Sequence, residues 1–277
     1  MPTVADKRRT FRKLHEAGCF VIPNPWNVGT ARYFQHLGFK ALATTSSGFA
    51  HVQGFADGSV PREPMLEHLR EIVTATEVPV NADFEGGYAD DPEGVAESVR
   101  LCIATGVAGL SIEDSTGDPA RPLYDFDLAL ARVRAARAAI DKAGGDVVFT
   151  ARTEGFVRGR PDLEETVRRL KAFADAGADC LYSPGIKTRE EIAATVKAVA
   201  PKPVNLLMSS SIGFTVTDIA ELGVRRISVG GTLARVAWNA VMHAAREIAE
   251  RGKFDSFAGV VGNAELNGFF SEDEKKR

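Results

Sequence analysis

Acidic side chains end two of the apolar runs in this sequence. Asp83 and Glu85 lie in the segment NADFEGGY, and Glu113 lies in SIED. Side chains two residues apart on an extended segment point the same way. Clustered carboxylates with no lysine beside them are oxygen ligands that suit Mg²⁺ or Mn²⁺, and without a cation they would repel one another. The spacing therefore predicts a divalent metal site formed by Asp83, Glu85 and Glu113.

Two further groups near these carboxylates could bind an anion. Arg152, in the run TARTE, could hold a carboxylate through two parallel hydrogen bonds, and Glu154 could orient that carboxylate or a metal-bound water. The alternative is an internal ion pair between the two that closes the site. Ser46, Ser47 and Gly48 could offer hydroxyl and N–H groups to an anion, or could form an ordinary polar turn. Together these groups predict a pocket for a small-molecule carboxylate substrate.

Eight apolar runs and eight amphipathic patterns alternate along the chain and must position these side chains. The predicted strands lie near 19–24, 41–46, 78–83, 109–113, 147–151, 179–183, 203–208 and 226–230. The predicted helices lie near 27–37, 62–76, 92–104, 126–142, 161–176, 188–199, 215–222 and 232–251. Strict alternation over about 250 residues favours a (β/α)8 TIM barrel of the α/β class, whose strand ends meet at one mouth. An open doubly wound sheet is the alternative, but NPWNVG replaces its glycine-rich first turn.

Composition narrows the domain organisation and the partners. The length suits one barrel domain over residues 1–277, with a C-terminal extension from about 253 that we expect to pack on a neighbouring subunit. With 34 basic and 37 acidic residues and no basic block, we expect no nucleic-acid partner. No apolar stretch reaches the roughly 18 residues of a membrane span, and the N-terminus lacks a signal peptide's apolar segment. The expected location is the cytoplasm, with no membrane partner.

The motifs TTSSG, NADFEGGY, SIED and TARTE together resemble those of the isocitrate lyase and phosphoenolpyruvate mutase superfamily, from about residue 20 to 240. The resemblance implies a barrel with one Mg²⁺ that chelates the keto and carboxylate oxygens of a 2-oxo acid or its enolate. It implies that Asp83 is the direct metal ligand, and that the acids holding the metal's waters are Asp57, Glu85 and Glu113. Members of the superfamily often exchange their C-terminal helix between subunits, so a homotetramer built as a dimer of dimers is expected.

The same resemblance suggests roles for the remaining site residues. The expected catalytic residues are Arg152, Asp57 and Glu113. The segment that clasps the substrate's carboxylate or oxyanion would be Ser46, Ser47 and Gly48, with Arg152 as its cationic partner. Trp26, after strand one, and Asn205, at the end of strand seven, would line the pocket, although a packing or capping role is an equal alternative for both.

The loop after the fourth strand separates the members of the superfamily. Lyases that cleave isocitrate or methylisocitrate carry a Lys-Lys-Cys-Gly-His stretch there, whereas this chain has DSTGDPARPLYDF, without Cys, Lys or His. These two substrates are therefore not expected. Phosphonopyruvate-forming mutases carry a loop with Lys, Asn and Ser, and Arg121 is the only cation of this segment.

We therefore expect a Mg²⁺-dependent lyase that acts next to a 2-oxo acid through an enolate. It would cleave a carbon–carbon bond or decarboxylate a small oxo- or hydroxy-diacid, forming pyruvate or a related 2-oxo acid. The alternative is carbon–phosphorus chemistry of the phosphoenolpyruvate mutase or carboxyphosphonate phosphorylmutase type, because VGGT at 229–232 could bind phosphate. A third possibility is a non-catalytic barrel that binds a small molecule, which the intact acidic and basic set argues against.

Overall fold

The protein folds as eight parallel strands in a nearly closed barrel, seen in a computed structural model that describes residues 2–276. The strands are paired in the order β1-β8-β7-β6-β5-β4-β3-β2. Ala43 of β2 also donates its N–H to the Pro23 carbonyl, just after β1, at 3.1 Å. The strands β1 to β8 are, in order, Phe20–Ile22, Leu42–Ala43, Val80–Asp83, Gly109–Glu113, Val148–Arg152, Cys180–Tyr182, Val204–Leu207 and Arg226–Ser228. The predicted (β/α)8 barrel is confirmed.

Helices cover the outside of the sheet, as parallel strands joined by crossovers require. Helices α1 to α11 are, in order, Val4–Leu14, Val28–His36, Ser46–Val52, Arg62–Ala75, Pro92–Ile103, Phe126–Lys142, Leu163–Asp175, Arg189–Val199, Val216–Glu221, Thr232–Arg251 and Asn263–Lys275. A short 3₁₀ helix at Asp255–Phe257 lies between the last two. All eight predicted helices are present within two residues of their expected bounds. None of the helices formed by the described residues is long and apolar enough to cross a membrane.

Besides α11, which lies in the expected C-terminal extension, two of the described helices fall outside the eight predicted ones. Helix α1 begins at a capping box, in which Thr3 and Asp6 exchange side-chain and backbone hydrogen bonds. Its Phe11 is fully buried against apolar side chains that include Ile22, Ala43 and Val148. The second unpredicted helix, α3, begins at Ser46, so the predicted second strand is too long by three residues. Thr45 ends it by capping α3 with its hydroxyl.

The strand register brings polar residues to one edge of the barrel. Glu113 of β4 pairs with Arg152 of β5, and Arg152 pairs with Tyr182 of β6. Each is the last residue of its strand, so their side chains meet at the carboxyl end of the sheet. In a barrel this is the edge at which the connecting loops can form a reactive site. The fold therefore brings together residues that lie far apart in the sequence.

The described chain divides into two compact units, with the boundary between Gly231 and Thr232. The first contains all eight strands, and the second contains α10, the 3₁₀ helix and α11. The second unit thus includes the expected extension from about 253. Large apolar side chains are exposed on it in the single chain, namely Val236, Trp238, Val241, Met242, Phe254, Phe257, Val260, Val261, Leu266 and Phe270. The packing of the extension on another subunit stays a prediction.

Candidate active site

Arg152 lies at the centre of the acidic cluster at the barrel mouth. Its Nη1 atom is 3.2 Å from Asp83 Oδ1 and 3.3 Å from Glu113 Oε2, and its Nε donates to Glu154 Oε1. The Tyr182 ring lies under the guanidinium, 5.1 Å from its carbon to the ring centroid. The predicted ion pair between Arg152 and Glu154 is therefore present, and the role of Arg152 toward a substrate carboxylate stays a prediction. Arg152 also reaches two of the carboxylates that were predicted to surround a cation.

Asp83 is held in place by the segment that follows β2. Ser46 donates to its Oδ2 twice, from the backbone N–H at 3.0 Å and from the hydroxyl at 2.9 Å. The backbone N–H of Asp83 in turn donates to the hydroxyl of Thr44 at 3.0 Å. Helix α3 thus positions the Asp83 carboxylate rather than leaving it to solvent.

The predicted anion clasp is largely committed to protein groups. Both Ser46 donors go to Asp83, and the Gly48 N–H donates to the capping hydroxyl of Thr45 at 3.2 Å. The Ser47 hydroxyl lies 3.2 Å from Thr45 Oγ1. A Cβ atom at Gly231 would come within 2.5 Å of the Ser47 oxygen, so glycine is needed there for space. Of the predicted segment, Ser47 is the member best placed to meet a ligand.

The loop after β3 carries Glu85 in a strained backbone conformation. Glu85 has a φ of 48° and Tyr88 a φ of 57°, in the left-handed region that non-glycine residues seldom adopt. The Glu85 carbonyl accepts from the Glu113 N–H at 3.0 Å. Arg132 of α6, almost fully buried, donates to the carbonyls of Gly86 and of Asp90, the latter at 2.7 Å. These bonds hold the loop in its conformation, and such strain concentrates at functional sites.

Burial, together with neighbouring negative charge, raises the pKa values of three acids at the mouth, Glu113, Glu85 and Asp57. Burial, with Glu154 and Asp83 nearby, raises the pKa of Glu113 to about 8. Burial and the charges of Asp83 and Asp57 raise the pKa of Glu85 to about 7. Partial burial and Asp83 also raise the pKa of Asp57, which lies in the connection between α3 and α4.

The charge at the mouth suits a divalent cation held mainly through water. With Glu154, the mouth has five acids, and Arg152 and Arg158 supply two positive charges, so full ionisation leaves three negative charges in excess. Within residues 2–276, no three His, Cys, Asp or Glu side chains form a direct metal cage. Mg²⁺ usually keeps several waters and binds through one or two carboxylates. The donors therefore fit an ion bound by Asp83, with Asp57, Glu85 and Glu113 holding its waters. This ligand set remains a prediction.

Asp114, which follows Glu113, connects the loops of the site. Its carboxylate accepts from the Thr153 hydroxyl at 2.8 Å, the Glu154 N–H at 2.9 Å and Arg169 Nη1 at 3.1 Å. These bonds occupy both carboxylate oxygens. The Asp114 side chain is only 2% exposed, so it positions the segment that carries Glu154 and does not face a ligand.

Asn205 and Trp26 lie in different surroundings from each other. Asn205 is the second residue of β7, lower in the barrel than the predicted strand end. Its side-chain NH₂ donates to the Ser228 hydroxyl and its side-chain oxygen accepts from Arg226 Nε, both at 2.9 Å. Both polar groups of the side chain are therefore bonded to residues of β8. Trp26 is half-buried in the connection after β1, and its backbone N–H donates to the Thr30 hydroxyl at 3.3 Å. The structure thus favours a packing role for Asn205, and the predicted pocket role of Trp26 stays open.

A cavity of ≈ 370 Å³ borders the cluster and is lined by Glu85, Glu113 and Arg158. Arg158, which the sequence analysis missed, lies in the loop after β5. The backbone N–H of Arg158 donates to the Glu154 carbonyl at 3.0 Å. This turn places the Arg158 side chain near the acidic cluster. A larger cavity of ≈ 1000 Å³, lined by Arg121, Arg160 and Arg169 among others, is not bordered by the central carboxylates.

The sequence signature of the phosphoenolpyruvate phosphomutase family matches residues 11–249. The chain belongs to this family. An uncharacterized Mycobacterium tuberculosis H37Rv protein, Rv1998c, is 33% identical over 87% of this chain and 89% of its own length. Oxaloacetate decarboxylase from Paraburkholderia xenovorans is 30% identical over 89% of this chain and 83% of its own. Phosphonopyruvate hydrolase from Variovorax is 31% identical over 69% of this chain and 67% of its own length.

Solved structures agree with this assignment. A provisionally assigned lyase/mutase from Burkholderia cenocepacia is 43% identical, covers 97% of each chain and has a TM-score of 0.93. Oxaloacetate acetylhydrolase in complex with 3,3-difluorooxalacetate is 26% identical over 98% of this chain and 95% of its own, with a TM-score of 0.85. The resemblance to the isocitrate lyase and phosphoenolpyruvate mutase superfamily is confirmed. Apart from the uncharacterized Mycobacterium protein, the relatives given above are named as a decarboxylase, hydrolases and a lyase/mutase.

Proposed function

We propose that this protein is a Mg²⁺-dependent lyase that releases a 2-oxo acid through an enolate, acting on a small 2-oxo diacid. The observation that carries the proposal is the position of Arg152 among Asp83, Glu113 and Glu154. Of these residues, Glu113 also lines the cavity of ≈ 370 Å³. A cation held at Asp83 would supply further positive charge for the enolate oxygen.

Each side chain of the cluster contributes to charge stabilisation. Arg152 has its Nε on Glu154 and its Nη1 3.2 Å from Asp83, so its positive charge is fixed at the mouth. A fixed charge beside a developing oxyanion needs little reorganisation during the reaction. Glu154 is 2% exposed and holds Nε, so the guanidinium cannot rotate freely. Ser46 fixes the orientation of Asp83. Together these contacts form a preorganised site for an anion whose charge grows during bond cleavage.

The loop after β4 favours decarboxylation over cleavage of a hydroxy acid. Residues 114–126 contain no Cys, Lys or His. Cleavage of the carbon–carbon bond of a hydroxy acid requires a base to remove the hydroxyl proton. Loss of CO₂ from a 2-oxo diacid requires no such base, because the leaving carboxylate carries no proton. The similarity to oxaloacetate decarboxylase supports the same substrate class.

The test is a panel of 2-oxo, 2-hydroxy and phosphono acids incubated with Mg²⁺, with release of pyruvate, CO₂ and phosphate measured. We expect a 2-oxo diacid to be turned over, chelation to abolish turnover, and added Mg²⁺ or Mn²⁺ to restore it. Asp83→Ala should behave like the chelated enzyme. Asp146→Ala is the matched control, because Asp146 pairs with Arg8 of α1. Full activity in excess chelator, or in Asp83→Ala, would refute the metal-dependent mechanism.

Carbon–phosphorus cleavage is the second candidate, supported by the similarity to phosphonopyruvate hydrolase. The local geometry weakens its predicted phosphate site, because the N–H groups of Val229 and Gly230 both donate to Asn24 Oδ1 at 2.9 Å. Phosphate release from the phosphono acids of the panel would favour this candidate. Binding without turnover of any acid would favour a non-catalytic barrel.

A further inference from the structure

Arg158 lies where the acidic cluster meets the loop after β4. Its side chain lines the cavity of ≈ 370 Å³ together with Glu85 and Glu113. It also lines a second cavity of ≈ 170 Å³ whose other walls, including Ser115 and Pro122, come from that loop. Arg158 is thus a cation placed between the reaction centre and the loop after β4.

The contacts of Arg158 leave its hydrogen-bonding capacity available. Its Nη2 is 3.6 Å from Glu113 Oε1, and its Nε is 3.6 Å from Glu154 Oε2, both longer than hydrogen bonds. The side chain is 43% exposed, whereas that of Arg152 is 18% exposed. Arg152 already holds Glu154 and contacts the other Glu113 oxygen, so the two carboxylates depend little on Arg158.

We infer that Arg158 is a specificity-determining residue, which binds the second carboxylate of a diacid substrate. This inference rests on the proposed function, in which the first carboxylate and the keto oxygen meet Arg152 and the metal. A guanidinium fork can hold a carboxylate through two parallel hydrogen bonds. A monocarboxylic 2-oxo acid would leave Arg158 unmatched, so the site selects diacids.

The test compares two ligands and three proteins by calorimetric titration in the presence of Mg²⁺. The ligands are 3,3-difluorooxaloacetate, a 2-oxo diacid, and pyruvate, a 2-oxo monoacid. The proteins are the wild type, Arg158→Gln and Arg160→Gln. Arg160 is the matched control, because it lies in the same exposed loop and lines the larger cavity instead. Melting temperatures of all three establish that they fold.

Arg158→Gln should weaken binding of the diacid about 10- to 100-fold, the range of a hydrogen bond between charged groups. Pyruvate binding should change less than about threefold on the same scale, and Arg160→Gln should leave both ligands unaffected. In turnover the loss should appear as a higher KM with kcat unchanged or raised, because the second carboxylate is charged in the bound substrate and loses that charge as CO₂ leaves. Arg158→Lys should recover only part of the affinity.

The results separate this inference from the proposed function. An equal loss for both ligands, an unchanged affinity for the diacid, or a wild type that does not bind the diacid would overturn the role of Arg158. If Arg158→Gln loses diacid binding selectively while the wild type turns over no acid, the role of Arg158 stands and the proposed lyase activity fails. If the wild type is active and Arg158→Gln retains diacid affinity, the lyase activity stands alone.

Discussion

Replacing Arg152 with lysine separates charge from geometry at the centre of the site. Arg152 uses two different nitrogens, with Nη1 within 3.3 Å of both Asp83 and Glu113 and with Nε on Glu154. A lysine ammonium is a single point on a flexible chain and cannot occupy both positions. Arg152→Lys therefore keeps the positive charge and loses the fixed direction of at least one donor.

The expected loss in kcat/KM is about 10²- to 10³-fold, the effect of removing one donor from an oxyanion site, or about 3–4 kcal/mol. Stability should fall less, since the ammonium still compensates part of the buried charge. Losing one hydrogen bond between charged groups costs about 1.5–3 kcal/mol, which corresponds to a decrease in Tm of several degrees.

The assay is steady-state kinetics with the best 2-oxo diacid of the panel, together with thermal unfolding of the same preparations. Glu154→Gln is the informative partner, because Glu154 contacts Arg152 and its side chain is only 2% exposed. It should lower the Tm with a smaller loss in turnover. Arg137→Lys is the control for replacing an arginine in an ion pair, since Arg137 pairs with Asp179 at 3.2 Å. Near-native turnover in Arg152→Lys with a lowered Tm would show that Arg152 is only a structural partner of Glu154.

Three further predictions concern pH, specificity and assembly. The pKa of Glu113 is raised to about 8 and that of Glu85 to about 7, so the folded state retains protons that the unfolded chain has released. In the chelated protein the free energy of unfolding should therefore fall from about pH 5 to pH 8, and Glu113→Gln should flatten that slope in denaturant titrations. Isocitrate and methylisocitrate should be poor substrates, because residues 114–126 supply no thiol; rapid glyoxylate release from isocitrate would contradict this. The apolar side chains exposed on α10 and α11 should be covered in an oligomer built from dimers, and a stable 29.7 kDa monomer at micromolar concentration in sedimentation would refute it.

The barrel could be predicted because most strands are buried on both faces and the helices between them alternate apolar and polar sides. The acids at the strand ends were predictable for the same reason, since the ends of parallel strands meet. Helix α1 was missed although the Thr3 and Asp6 capping box marks its start. Its buried residues are Lys7 and Phe11, so a single apolar side chain marked the buried side of a strongly polar segment.

Two arginines were missed for different reasons. Arg132 lies on the buried side of α6 with Ala129, Val133 and Ala136, where a charge on the apolar stripe could have indicated a positioning role. Arg158 lies in a loop without periodicity, and only its four-residue spacing from Glu154 suggested that the two could meet. The contacts of Arg152 with Asp83 and Glu113 depend on side-chain direction across three strands, which one sequence does not reveal.

Proton exchange at the methyl group of pyruvate tests the central claim most directly. If the cluster around Arg152 stabilises an enolate, the protein with Mg²⁺ in D₂O should exchange the pyruvate methyl protons, because the enolate that is protonated to form product can also form from it. The methyl signal in proton NMR should then decay in the wild type, and should persist after chelation, in Asp83→Ala and in Arg152→Lys. A wild-type enzyme that turns over its diacid yet exchanges these protons no faster than protein-free solution would contradict the enolate mechanism.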